Sequence, residues 1–333
     1  MGVAKELPEF QSNLYNPKEL AAQLLQENNS DDLLRLESLL EKGAISEQDV
    51  IDLLIYDWSQ HVDESGEYQL PKSSRNLYLQ YEGLRDGDQI GAPKIARLSS
   101  RLDIAKQIFS KLPSYGVRVA DLGMPISGDA EIQKILTMVQ FIYDENLPIF
   151  PAVAGRTHPD DVASIIEVGK FVRKHFNQRI LVYSFVGSSR IRMLAQGQNK
   201  WNIDSIKSWL SQTIDSLKKE SSIGKVIVPF EDTFGSYPKD LNILFRTALD
   251  AGADGICICD TCSRGVTPEA SRNLIKYIRS KIAPDYPNTI WEIHTHNMLG
   301  GATANALAAY QEGLITGVHV TLGGVGDLGG IHL

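Results

Sequence analysis

Basic charge, cysteine and long apolar runs are all scarce in this sequence. Lys and Arg number 33 against 41 Asp and Glu, a formal net charge of −8. That balance repels a phosphate backbone, so no nucleic-acid partner is expected. No stretch approaches the roughly 20 consecutive apolar residues that cross a bilayer, so no membrane span is expected. Met1 to Phe10 carries charges and no apolar core, which excludes a secretory signal there. The three cysteines, Cys257, Cys259 and Cys262, fall within six residues. An odd count so confined argues against a disulfide framework. The expected setting is soluble, reducing and cytoplasmic. A glycine-rich dinucleotide fingerprint is also missing: Leu84 to Gln89 stands after the first strand-like run instead.

What is present divides into two patterns. Leu33, Leu36, Leu39 and Leu40 recur at helical spacing, and Gly43 is a stop signal. Ser46 can cap a second helix that carries Val50, Leu53, Leu54 and Trp58. From Ser59 to Ser74 the chain is polar, with Gly66, Pro71 and paired serines, and reads as a linker. Residues 1–75 are therefore expected to form a helical extension and linker, and 76–333 a separate domain.

In that second part, eight short runs rich in Val, Ile and Tyr stand at 77–84, 117–123, 148–154, 180–186, 225–230, 255–259, 290–295 and 317–322. The stretches between them have helical periodicity, as in Ile132, Ile135, Leu136 and Val139, or Leu274, Tyr277 and Ile278. Alternating strand and helix implies a parallel sheet. Eight repeats in about 250 residues match a closed (β/α)8 TIM barrel. The final barrel helix is missing, because the sequence stops at Ile331-His332-Leu333. The N-terminal leucines are the spare apolar surface expected to cover strands one or eight, unless a continuation of the chain does so.

Working residues of such a barrel sit where strands end. His294 and His296 are two apart on a strand, so both imidazoles reach the same side. They read as a metal pair or as two surface histidines. Asp86, at the end of strand one, would complete the donor set. Two imidazoles and a carboxylate suit a divalent cation without choosing among Mg, Mn, Zn and Co. Arg85 beside it would steady charge developing on a ketone or enolate oxygen, or simply pair with a carboxylate. In the first case it should matter to turnover more than to folding. Glu231 is a candidate general base. Thr261 is a candidate hydrogen-bond donor to substrate or a turn residue. Arg156 offers a planar fork to a substrate carboxylate, or is a surface charge. The cysteines lack a fourth ligand for a metal cluster of their own.

Together these residues resemble the 3-hydroxy-3-methylglutaryl-CoA lyase-like superfamily, the pyruvate carboxyltransferase-type domain of 2-isopropylmalate, homocitrate and citramalate synthases. The resemblance is carried by Leu84-Arg85-Asp86-Gly87-Asp88-Gln89, by Asp254-Gly255 through Asp260-Thr261, and by His294-Thr295-His296-Asn297-Met298-Leu299-Gly300 with Ala304 to Ala309. It implies a metal on Asp86, His294 and His296. It implies Arg85 as the group that polarises a ketone, with Gln89 supporting it. It sets Glu231 and Thr261 near a reacting acyl group, and Asp121 where a glutamate is usual. The implied activity is condensation of acetyl-CoA with a 2-oxo acid. A lyase or aldolase cleaving a C–C bond on the same metal, and a non-catalytic metal-binding barrel, are the alternatives. A homodimer is compatible with the sequence.

Three departures stand against the family pattern. After strand eight the family carries Gly-Glu-Arg, a small residue and Gly-Asn. This sequence has Gly326-Asp327-Leu328-Gly329-Gly330-Ile331 there. No cysteine follows Cys262, where the lyase branch places a reactive one. The synthases also draw catalytic residues from a region beyond the barrel, and none follows Leu333 here.

Overall fold

The computed structural model of the chain describes residues 38–46, 77–89, 101–197, 201–261, 267–326 and 329–333. The chain divides into two units, Met1–Leu70 and Pro71–Leu333. In the first, a helical turn at 38–41 contains Leu39 and Leu40 and ends at Gly43. Gly43 takes a left-handed φ of 65°, as a helix-ending glycine does. The second helix expected after Ser46, the linker, and the covering role proposed for these helices fall on residues outside the described ones.

The second unit is a closed barrel of eight parallel strands in sequential order, the (β/α)8 TIM fold. The strands are β1 (Tyr78–Tyr81), β2 (Val117–Asp121), β3 (Phe150–Arg156), β4 (Ile180–Gly187), β5 (Ile223–Glu231), β6 (Gly255–Asp260), β7 (Ile290–Thr295) and β8 (Gly317–Val320). All eight coincide with the expected runs to within a few residues. β8 closes the ring on β1, with Val318 opposite Leu79 and His319 opposite Gln80.

The helices form where the sequence supplies starts and apolar stripes. α1 (Leu102–Phe109) follows β1, α2 (Asp129–Asp144) follows β2, and α3 (Pro159–Phe176) follows β3. α2 buries Ile135, Met138, Val139 and Ile142 at helical spacing. α3 begins with Pro at its first turn and ends at Asn177 in the left-handed region. The short α4 (Arg190–Gly197) and α5 (Ile203–Lys219) lie between β4 and β5. Asn202 and Ser205 cap α5 reciprocally. α6 (Pro238–Asp250), α7 (Pro268–Lys281) and α8 (Ala302–Gln311) complete the set. Among the described residues no helix follows β8; a turn at Leu322–Gly324 and a bridge between Thr321 and His332 do. An apolar groove beside β1 and β8 is lined by Leu79, Leu307, Val318, Val320 and Ile331.

Two apolar clusters explain why strand residues are buried on both faces. The outward faces, such as Val226, Val228 and Phe230 of β5, join the helices in the large one. The inward faces make a small one, with Val119, Ala152, Ala154, Tyr183, Ile227, Cys257 and Cys259. The two cysteines are thus interior packing residues. Nearer the C-terminal mouth, the inward positions become polar.

The interior has no room at the foot of β6. A Cβ on Gly255 would lie 2.6 Å from the Ile290 carbonyl oxygen and 2.6 Å from Ile227 Cδ1. Backbone cannot yield as a flexible side chain can, so overpacking should cost about 1–3 kcal/mol. Gly255→Ala should lower the melting temperature by several degrees with the far-UV circular dichroism spectrum kept. An unchanged melt would mean the strands can separate there at no cost.

Candidate metal centre

Residues from seven strands, β2 to β8, and from the turn just past β1 line a cavity of about 190 Å³ at the C-terminal mouth. Alternation along each strand sets its walls. On β7, Glu292 and His294 share the inward face, and His296 continues the step of two. On β6, Cys257 and Cys259 lead to Thr261 in the same way.

Asp86, His294 and His296 are buried, and each offers a ligand atom within 4.8 Å of the other two. The two Nε2 atoms face each other at 3.0 Å. Two nitrogens bound about 2.1 Å from one ion at a near-right angle would stand about 3 Å apart, so this spacing suits a shared cation. His296 Nδ1 lies 2.9 Å from the Thr261 carbonyl oxygen. That contact puts the proton on Nδ1 and leaves the Nε2 lone pair for a metal. Asp86 Oδ1 is 3.9 Å from His296 Nε2. The other oxygen, Asp86 Oδ2, is buried with no hydrogen-bond partner. A carboxylate oxygen so placed is costly unless something positive takes it up. The donor set and the orphaned oxygen therefore fit a divalent cation.

The titration behaviour agrees. Burial pushes His294 down to about 3, more than Glu82 and Asp86 offset, so the ring is neutral and free to ligate. Burial also works against a charged His296, but contact with Asp86 outweighs it and raises the pKa. Burial alone would raise Asp86; His296 and Arg85 hold it below the usual carboxylate range.

Arg85 is held by three carboxylates. It pairs with Glu82, with Asp121 at 3.2 Å and with Asp86 at 3.4 Å. Burial disfavours the guanidinium, and these partners outweigh that. Arg85 is therefore structural as well as a cavity cation. Removing it would strand buried charges, a loss of several kcal/mol as an order of magnitude, so the expectation that it matters little to folding does not fit this surrounding. Asp121 is raised, because burial exceeds what a shared Arg85 returns.

Below the cation set lies a cluster that the sequence reading missed. His319 pairs through Nδ1 with Glu82 and through Nε2 with Glu292 at 3.0 Å. Burial would depress this imidazole, but Glu82 and Glu292 outweigh it and lift it to about 10. Tyr78 and Tyr183 both donate to Glu292, Tyr183 at 3.1 Å. The signal was present in part: Glu292 precedes His294 by the same two-residue step that joins His294 to His296.

Of the other expected residues, Glu231 lines the cavity, half-buried and paired with Arg192 at 2.8 Å. Thr261 lines it too, its hydroxyl accepting from the Asp232 amide at 2.9 Å. Arg156 is not brought in; it is exposed and clamped to Asp161 at 2.8 Å. The side chains of Gln89, Asp327 and Leu328 lie outside the described residues. Ile331, at the place of the family asparagine, is buried with the outer apolar cluster, and the Thr321 amide donates to its carbonyl at 3.0 Å. Gly326 presses its backbone against Asp86 Oδ2, where any Cβ would collide.

Residues 76–332 match the family model described as HMGL-like. The chain belongs to the HMGL-like family. It is 30% identical over 249 residues to a 2-isopropylmalate synthase of Heliobacterium modesticaldum, covering 74% of this chain and 44% of that protein. It is 28% identical to one of Campylobacter jejuni over the same shares. The chain thus spans less than half the length of these curated relatives. Among solved structures, the HMG-CoA lyase of Brucella melitensis superposes with a TM-score of 0.55 at 12% identity, covering 78% of this chain and 88% of that one. The carboxyl transferase domain of Rhizobium etli pyruvate carboxylase superposes at 0.51 and 16%, covering 78% and 42%. At such identities these two speak for the fold. No helix among the described residues is long and apolar enough to cross a membrane.

The cation reading has a direct test. His296→Ala should lower bound divalent metal sharply after dialysis, measured by elemental analysis against the unaltered chain. Equal metal content in the two would remove His296 from the site.

Proposed function

We propose that this HMGL-like chain carries out a metal-dependent condensation of an acyl-CoA, acetyl-CoA first, with a small 2-oxo acid. The observation that carries the reading is the convergence of Asp86, His294 and His296 beside Arg85 in one cavity at the barrel mouth. The 2-isopropylmalate synthases among its relatives are the ground for the acyl-CoA and the 2-oxo acid.

In this reading Asp86, His294 and His296 hold the cation, which when bound polarises the keto and carboxylate oxygens of the 2-oxo acid. The chain's own groups do the rest. Arg85 donates toward the keto oxygen, where negative charge develops as the new C–C bond forms. Its three carboxylate partners fix the guanidinium before substrate arrives, so little reorganisation is left for the reaction. Thr261 keeps its hydroxyl proton for the acyl group, because its oxygen already accepts from Asp232. Glu231 and Asp121, which line the same cavity, are the carboxylates that would take a proton from the acyl methyl group. Asp121, with its raised proton affinity, also suits a hydrogen bond to substrate. Water then hydrolyses the thioester of the condensed product, so that CoA leaves as the free thiol and a carboxylate remains.

Thiol release from acetyl-CoA should require both a 2-oxo acid and a divalent cation, read with a thiol reagent across a panel of acids. Release indifferent to the acid, or none with any acid at a loaded site, would sink the condensation reading. Cleavage of a 3-hydroxy acyl thioester without acetyl-CoA would point to a lyase instead. Arg85→Lys keeps the charge but loses the planar fork. It should lower kcat by about 100-fold, the order seen for losing one oxyanion donor, with metal content unchanged. A variant turning over normally would remove Arg85 from the chemistry.

A further inference from the structure

The deepest part of the barrel interior is occupied by groups that the proposed reaction does not touch: Glu82, Glu292, His319, Tyr78, Tyr183 and Cys257. Three of them, Cys257, Glu292 and His319, are close enough together to hold a second cation. The hydrogen bonds oppose that use. Both nitrogens of His319 are engaged, one by Glu82 and one by Glu292. Glu292 accepts from Tyr78 and Tyr183 through Oε1 and from His319 through Oε2. Glu82 accepts from Gln80 at 3.1 Å, and pairs with His319 and Arg85. Every ligand atom of Glu292 and His319 is already satisfied, so a cation there would have to break several buried hydrogen bonds.

One nitrogen at the edge of this cluster is not satisfied. His294 Nδ1 is buried with no hydrogen-bond partner. Its Nε2 faces His296 Nε2 at 3.0 Å, the shared cation position. A ring that presents the Nε2 lone pair to a metal must carry its proton on Nδ1. A buried N–H needs an acceptor, and Glu82 Oε2 stands 3.5 Å away. A shift of roughly half an ångström makes the bond.

We propose that Glu82 is the positioning residue that fixes His294 as its Nδ1–H tautomer toward the cation, and that His319, braced by Glu292, holds Glu82 in that role. The inference rests on the cation reading of Asp86, His294 and His296. It makes a chain of contacts from the tyrosines at the foot of the barrel to the ligand at its mouth: Tyr78 and Tyr183 to Glu292, Glu292 to His319, His319 to Glu82, Glu82 to His294. Glu82 is also the strongest partner of Arg85, so one carboxylate aligns both a metal ligand and the cavity cation. Carboxylates behind ligating histidines are worth about 10–100-fold in metal affinity. His296 has its own acceptor in the Thr261 carbonyl, so Glu82 should affect one histidine and not the other.

The experiment uses the full chain with 15N-labelled histidine and with Co(II) as the probe. In the cation-free protein, long-range 15N–1H spectra should show His294 as the Nδ1–H tautomer. Glu82→Gln should weaken that preference and leave His296 unchanged. Co(II) affinity, measured by chelator competition, should fall about 10–100-fold in Glu82→Gln and fall in the same direction in His319→Gln. Both variants should keep one equivalent of Co(II) at saturation. A His294 ring protonated on Nε2 in the unaltered, cation-free protein overturns the proposal without any variant, and so holds even if a variant fails to fold. Unchanged affinity in folded Glu82→Gln also overturns it. A second equivalent of Co(II) lost in His319→Gln, or a thiolate-to-cobalt charge-transfer band from Cys257, overturns it in favour of the deeper cation. Failure of the underlying reading looks different: His296→Ala would then bind Co(II) as the unaltered chain does, while the His294 tautomer still reports on Glu82.

Discussion

The Arg85 guanidinium is the fixed positive charge around which the mouth of the barrel is arranged. Three carboxylates from two neighbouring strand ends, Glu82, Asp86 and Asp121, share it. Glu292 adds a fourth acid below, answered by His319. These acids outnumber the two basic groups that face them, Arg85 and His319. Buried charge of one sign is costly unless it is balanced. The orphaned Asp86 Oδ2 stands where a divalent cation would relieve that excess. Electrostatics of the whole cluster and geometry of three ligands thus point to the same place by separate routes.

Much of the fold was legible because it depends on repetition. Strand-like runs and helical stripes alternate eight times, and a closed parallel ring is the arrangement that buries both faces of every strand. The convergence of Asp86, His294 and His296 was legible for a related reason. His294 and His296 sit two apart at a strand end, and Asp86 sits at another; in a barrel all such ends converge. Local spacing plus topology brought the three side chains together; their reading as a metal set came from the family resemblance.

What escaped were contacts set by register between distant strands. Nothing local in Gly317-Val318-His319-Val320 says that His319 will meet Glu82 and Glu292. That follows only once β8 is aligned with β1 and β7, with Val318 opposite both Leu79 and Ile293. Arg192 was missed because it lies on the short helix α4, which bends back over the mouth rather than ending a strand. Arg156 illustrates the converse. It ends a strand as the ligands do, yet Asp161 in the first turn of α3 holds its fork away from the cavity. Strand-end position makes a residue eligible for the site, and the nearest counter-charge decides whether it turns inward.

Gly326 has a consequence for traffic. Its main chain closes over Asp86 so tightly that no side chain fits between them. The stretch that faces Asp86 on the β8 side at Gly326 is therefore, among the described residues, backbone. Among the described residues, the opposite rim is built from Phe185, Arg192 and Glu231, which are side chains and can rotate. An anion entering past that rim would cross the Arg192–Glu231 pair on its way to the histidines. Selection among related acids can then happen at the threshold, on shape and charge, before any of them touches the groups that would do chemistry.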